Sequence, residues 1–226
     1  MSRSGSGGHL ASTFTDLMTS LMVIFILLFV ANLNNAAGAR RQIQKSLLAE
    51  LRSELGQAGM DVSSIREDPK DPYAIVIILP DSSLFDRGQW QLRPSGERVL
   101  QTLVPRVSRV LCAPAKRKRV ESLVVEGHTD ATFVTGLEGT EQARDFNMVL
   151  SQKRSIDVVR ASLAPLEGER RGCIRSLMSA SGRGQEELLP EEEADSERQR
   201  RVVLKIRVKE DVAQELAAGG NGDGRR

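Results

Sequence analysis

The chain has two histidines and two cysteines in 226 residues, which cannot supply the spaced Cys/His ligand set of a zinc or iron–sulfur site. Aromatic residues make up only 4% of it. None of them interleaves the basic run Lys116 to Arg119, so that run offers no stacking platform for nucleic-acid bases and reads as a solvated loop. Neither sign of charge dominates: 32 Lys and Arg oppose 30 Asp and Glu, a formal charge of +2. No global field therefore points to nucleic acid or to an acidic substrate. Internal repeats are absent. Gly182 and Gly184 form no complete phosphate-binding fingerprint. No set of nucleophile, base and orienter is evident, so the reading is not that of an enzyme, and no catalytic residue, metal or cofactor is expected.

Long apolar runs are scarce too, and the chain has one. FTDLMTSLMVIFILLFV, Phe14 to Val30, continues uncharged beyond its Asp to Leu33. Roughly 20 residues of helix cross a bilayer, so the segment has the length of a single span. A secretory signal peptide is the competing reading, with Leu21 to Ala31 as its apolar region and Ala37-Gly38-Ala39 as a small-residue cleavage site. Against it, Arg3 is the only basic side chain ahead of the run, and Asp16 stands just before the apolar stretch. Arg40, Arg41 and Lys45 follow the span and outnumber Arg3. By charge bias alone, the C-terminal part would be cytoplasmic.

Asp16 is the one charged residue of the span, and a carboxylate beside hydrocarbon must be paired, protonated or hydrated. Thr13, Asp16, Thr19 and Ser20 lie on one helical face, which Val23, Leu27 and Val30 extend in apolar form. Two readings stay open on the local pattern. Thr13 and Asp16 resemble a capping box at a helix start, or the hydroxyls support a carboxyl that takes up and releases a proton.

The remainder reads as residues 1–11, a Ser/Gly-rich tail; 12–35, the membrane helix; 36–72, an amphipathic helix and linker; 73–210, a folded domain; and 211–226, a Gly-rich tail expected to be disordered. In the amphipathic helix, Ile43, Leu47, Leu48, Leu51 and Leu55 form one stripe, which must pack on its own domain or on a second copy. The spacing predicts strands at 74–79, 123–126, 174–179 and 202–208, with helices from Pro94 and over 148–163. This alternation, βαβαβ and a last strand, indicates a two-layer α/β (α+β) sandwich.

Several stretches carry a resemblance. VEGHTD (Val125 to Asp130), NMVLSQKR (Asn147 to Arg154), SASGRGQEELLP (Ser179 to Pro190), ERQRRVVLKI (Glu197 to Ile206) and LFDRGQWQLRPSGERVL (Leu84 to Leu100) occur in the order of the OmpA-like peptidoglycan-binding domain, and the region resembles that family over about 73–208. The resemblance implies a βαβαββ periplasmic domain in which Asp130 and Arg154 grip the diaminopimelate of the stem peptide, with Thr129, Asn147 and Leu150 supporting them. A carboxylate for the ammonium and a guanidinium fork for the carboxylate suit such a zwitterion. Two departures are present: the stretch from Ala131 to Phe146 is long, and Gln199 stands where the family pattern has Asn and Arg. His128 and Asp130 read alternatively as metal ligands or as a base and its orienter.

The opening segment resembles the membrane helix of MotB-like stator proteins, in which an Asp near the cytoplasmic end of a single span carries the transported ion. The short tail and the wording FTDLMTSLMVIFILLF lie nearer the B subunits of Zorya antiphage defence systems, which share this two-part plan. The resemblance implies an inner-membrane protein with a cytoplasmic N-terminus and a periplasmic domain. It further implies Asp16 as proton carrier with Thr13, Thr19 and Ser20 on the pore face, a homodimer inside a MotA-like pentamer, and peptidoglycan as the anchor. It overrules the charge bias. In a periplasmic domain, Cys112 at the end of the first helix and Cys173 at the start of the third strand fall at one edge of the sheet and are expected to pair.

Overall fold

The computed structural model of the chain describes residues 7–131 and 140–209. The expected C-terminal tail and residues 132–139 of the long stretch after Asp130 lie outside the described residues. Helix α1 spans Gly7–Gly56. Within it, Thr13–Ala31 is long and apolar enough to cross a membrane, and every side chain there is exposed. An apolar helix of that length exposed all round has the composition of a lipid-facing or partner-facing segment.

A separate compact unit spans Arg41–Lys209. Its sheet has the order β1-β2-β5-β3-β4, built from β1 (Ile65–Glu67), β2 (Ala74–Pro80), β3 (Val120–His128), β4 (Met178–Gly184) and β5 (Arg201–Val208). All neighbours are antiparallel except β3 and β4. Ile75 and Ile77 of β2, Leu123 and Val125 of β3, and Leu204 and Ile206 of β5 are buried on one face, as the two-residue period of a strand requires. Helices α3 (Pro94–Leu111), α5 (Glu141–Leu163) and α6 (Gly168–Leu177) complete the second layer with two short turns of helix, α2 (Asp81–Leu84) and α4 (Pro114–Arg117).

The amphipathic stripe packs on its own domain. Ile43, Leu47, Leu48, Leu51 and Leu55 are buried. Gln44 Nε2 donates to the Ala74 carbonyl at 3.0 Å and Arg52 Nε to the Ile65 carbonyl at 2.9 Å, while Glu50 pairs with Lys116 and Glu54 with Arg109. The segment 36–72, read from sequence as a helix and linker ahead of the domain, belongs to the compact unit from Arg41 onward and contributes the edge strand β1.

The segment 174–179, expected as a strand, straddles two elements: Ile174 and Leu177 close α6, and β4 begins at Met178. Cys173 therefore sits on a helix rather than at a strand start. It is nevertheless joined to Cys112, the C-cap of α3, by a disulfide with Cα atoms 6.1 Å apart and a sequence separation of 61.

Glycines set the closeness of α5 to the sheet. A Cβ on Gly127 would stand 2.3 Å from the Ser151 carbonyl oxygen, and one on Gly182 would stand 2.7 Å from the Gln152 amide nitrogen. The glycines of VEGHTD and SASGRG are thus contact points for a helix.

Candidate functional site

Three strand ends converge at one end of the sheet. Because β5 runs antiparallel to both β2 and β3, the ends of β2 and β3 meet the start of β5, with Pro80 and His128 both opposite Arg201. Asp81 follows β2, Asp130 lies just beyond β3, and Arg200 precedes β5. Arg154, on α5, completes the group.

The four side chains form an alternating chain of charge. Arg154 Nη1 lies 2.8 Å from Asp81 Oδ1, Asp81 Oδ2 lies 4.0 Å from Arg200 Nε, and Arg200 Nη1 donates to Asp130 Oδ2 at 2.6 Å. Arg154 is 2% exposed and Asp130 5%, so each needs its counter-charge. Two further contacts hold Arg154: its Nε donates to the Gln89 carbonyl at 2.8 Å, and its guanidinium sits 5.0 Å over the Phe85 ring. Burial raises the Asp81 carboxyl to about 6, against the lowering pull of Arg154 and Arg200 and with help from Asp130.

Asp130 and Arg154 are thus brought into one network, linked through Asp81 and Arg200. Neither linker was singled out by the sequence reading. Asp81 lies two residues after the first predicted strand and Arg200 two before the last, and the pairing of β2 with β5 brings those ends together.

The supporting residues have distinct tasks. Asn147 Nδ2 donates to Gln185 Oε1 at 2.9 Å and reaches the Asp130 carbonyl at 3.5 Å. The Thr129 amide donates to the Gly184 carbonyl at 2.9 Å, while its buried hydroxyl has no hydrogen-bond partner. Leu150 is buried on the same helix. Gln199 is fully buried and ties down the preceding loop: its Nε2 donates to the carbonyls of Leu189, Glu192 and Glu193, and its Oε1 accepts from the Leu189 amide. The departure at this position serves the loop and lies outside the charged network.

A concavity of about 370 Å³ lies on the face of the sheet opposite the buried Ile75, Val125 and Leu204, with His128, Glu126, Arg201, Val203 and Leu189 among its lining. Burial, reinforced by Arg201, Arg183, Lys70 and Lys205, pushes the His128 imidazole down to about 3, so it is neutral at physiological pH. Among the described residues no group of three His, Cys, Asp or Glu is placed to hold a metal.

In α1, Asp16 is exposed. The Thr19 hydroxyl donates to the backbone carbonyls of Thr15, at 2.8 Å, and Asp16, at 3.0 Å. Thr19 therefore serves the helix backbone in this state. Thr13 and Ser20 are exposed beside it.

No protein-family model matches the chain. It is 28% identical to the Zorya protein ZorB of Escherichia coli O139:H28 (strain E24377A / ETEC) over 191 aligned residues, taking in 75% of this chain and 70% of that protein. A solved MotB-like protein from Desulfovibrio vulgaris superimposes with a TM-score of 0.54 at 22% identity, over 76% of this chain and 96% of the other. The periplasmic domain of Helicobacter pylori MotB is a more distant match, with a TM-score of 0.46 and 16% identity over 68% of this chain and 97% of that domain. The compact unit has the MotB-like, OmpA-like fold that the motifs implied, and in sequence the chain is similar to ZorB.

Proposed function

We propose that this chain is the wall-anchored, ion-carrying subunit of a proton-driven motor of the MotA/MotB type, acting in antiphage defence as a Zorya component. The reading rests on one conjunction: a membrane-length segment whose only charge is Asp16, and a MotB-like fold with a largely buried quartet of alternating charge at one end of its sheet. The similarity to ZorB supports the defence role.

At the wall, a diaminopimelate end group presents one ammonium and one carboxylate. Asp130 takes the ammonium and Arg154 the carboxylate, so the zwitterion replaces the contacts these residues make with Arg200 and Asp81. In the membrane, Asp16 carries the proton as cargo. A proton crossing about 100 mV delivers about 2.3 kcal/mol, enough to bias a two-state contact with a partner helix. The subunit acts as a homodimer within a MotA-like pentamer, with its N-terminus cytoplasmic and its domain periplasmic. Anchorage to peptidoglycan holds the dimer still while the pentamer turns.

The test is phage plating on cells carrying the whole operon with the wild-type chain or Asp16→Asn, at equal membrane abundance by immunoblot. Asn matches Asp in size and polarity but carries no proton. Loss of protection is expected. Full protection would leave a passive wall anchor, with Asp16 reduced to a hydrated side chain near the start of α1.

A further inference from the structure

The chain has a single tryptophan, Trp90. It sits between two clamps that fix its loop to α5: the Gln89 carbonyl accepts from Arg154 Nε at 2.8 Å, and the Leu92 amide donates to Asp157 Oδ2 at 2.9 Å. Its indole nonetheless remains 36% exposed. Together with Lys153, Ile156, Asp157 and Arg160 it lines an open depression of about 150 Å³. Lys153 Nζ stands 5.8 Å from the ring centroid. A large rigid aromatic side chain left partly exposed beside an aliphatic side chain and charged donors, with the Lys153 ammonium over its ring, is an arrangement the core has no use for.

We propose that this depression is a saccharide subsite, taking an N-acetylated amino sugar of the glycan strand whose stem peptide enters the neighbouring charged quartet. The inference rests on the wall-binding reading and names a second part of the same ligand. A pyranose presents axial C–H groups on one face and hydroxyl and acetamido groups around its edge. The Trp90 face matches the first, and Lys153 and Arg160 match the second. Asp157 is already committed, since it accepts from Leu92 and pairs with Arg160, so its task is to hold the platform. Reach agrees with the assignment. The diaminopimelate is the third residue of a peptide joined to the sugar, about 10 Å of extended chain. Trp90 and Lys153 are the sequence neighbours of Gln89 and Arg154, which are bonded to each other.

Trp90 is its own reporter. The full-length protein in detergent micelles is titrated with chitotetraose while tryptophan emission is recorded, and its retention on purified sacculi is measured in parallel. A saturable change in emission is expected, weakened severalfold in Ile156→Gln, which keeps the reporter. Trp90→Ala is expected to lower sacculus retention about tenfold and Trp90→Phe much less, because the aromatic face persists. Circular dichroism confirms that the surface substitutions leave the fold intact. Unchanged emission up to millimolar chitotetraose with normal sacculus retention overturns the subsite and leaves the wall-binding reading standing, as does a Trp90→Ala variant retained like wild type. Wild type that neither responds nor is retained overturns both.

Discussion

Arg154 and Asp81 form an ion pair of 2.8 Å with almost no access to solvent, their side chains being 2% and 5% exposed. The residue expected to grip a ligand carboxylate is already held by an internal one.

If Asp81 competes with the ligand for Arg154, its protonation releases the site. With its carboxyl raised to about 6, lowering the pH from 7.5 to 5.5 converts it largely to the neutral acid and frees the guanidinium. Sacculus retention of the full-length protein is expected to rise severalfold over that interval. Asp81→Asn should bind at pH 7.5 as wild type does at 5.5, with a flattened profile. Weaker binding by Asp81→Asn would instead make Asp81 a positioning residue for Arg154.

Stability should respond to acid through two groups of opposite sign. His128 is neutral in the fold with its imidazole pushed to about 3. Its contribution is complete above about 6.5 and is lost as the pH falls from there toward 3, because the unfolded chain takes up the proton first. Asp81 binds its proton near 6 in the fold and near 3.8 when unfolded. Its contribution therefore grows as the pH falls through 6, by up to about 3 kcal/mol. Removing the imidazole in His128→Gln should leave the Asp81 trend alone, so thermal melts followed by Trp90 emission should rise, or fall less, between pH 7 and 5 than in wild type. Equal slopes for the two proteins would count against a neutral buried His128.

The Cys112–Cys173 crosslink should be worth about 2–4 kcal/mol through restriction of the unfolded chain. Reductant, or the double change to serine, is expected to lower the melting temperature and slow the denatured protein on a gel. Thiol counting on the untreated protein should find none free. Two reactive thiols would exclude the bond.

Gln199→Leu keeps the volume and removes all four bonds that the Gln199 side chain makes to the loop that follows β4. Leaving several buried backbone groups unsatisfied should cost about 2–4 kcal/mol. Limited proteolysis is expected to cut between Gln185 and Ser196 in the variant well before wild type is cleaved.

Much of this was legible in the sequence where a pattern repeats or a motif is spelled out. The stripe from Ile43 to Leu55 announced a buried helix face, and VEGHTD and NMVLSQKR brought Asp130 and Arg154 together. What failed was short or governed by tertiary context. Three residues of β1 carry no periodicity to detect. Strand β4, MSASGRG, has weak strand propensity and is a strand because it pairs with β3 and lets α5 approach its glycines. Ile174 and Leu177, three residues apart, fit a helix as well as a strand, and helix prevailed. Asp81 and Arg200 were missed because each is unremarked in its own neighbourhood. Their meaning comes from strand order, which brings β2, β5 and β3 side by side.

The edges of the sheet bear on how copies of this chain coexist. One outer strand, β1, is three residues long with Arg66 and Glu67 in it, and the other, β4, is polar and glycine-bearing with an irregular register against β3. Neither offers a long, flat, apolar row of unpaired amides for another chain to extend. Copies of this domain can therefore collide repeatedly at high local concentration without fusing their sheets into a growing ribbon.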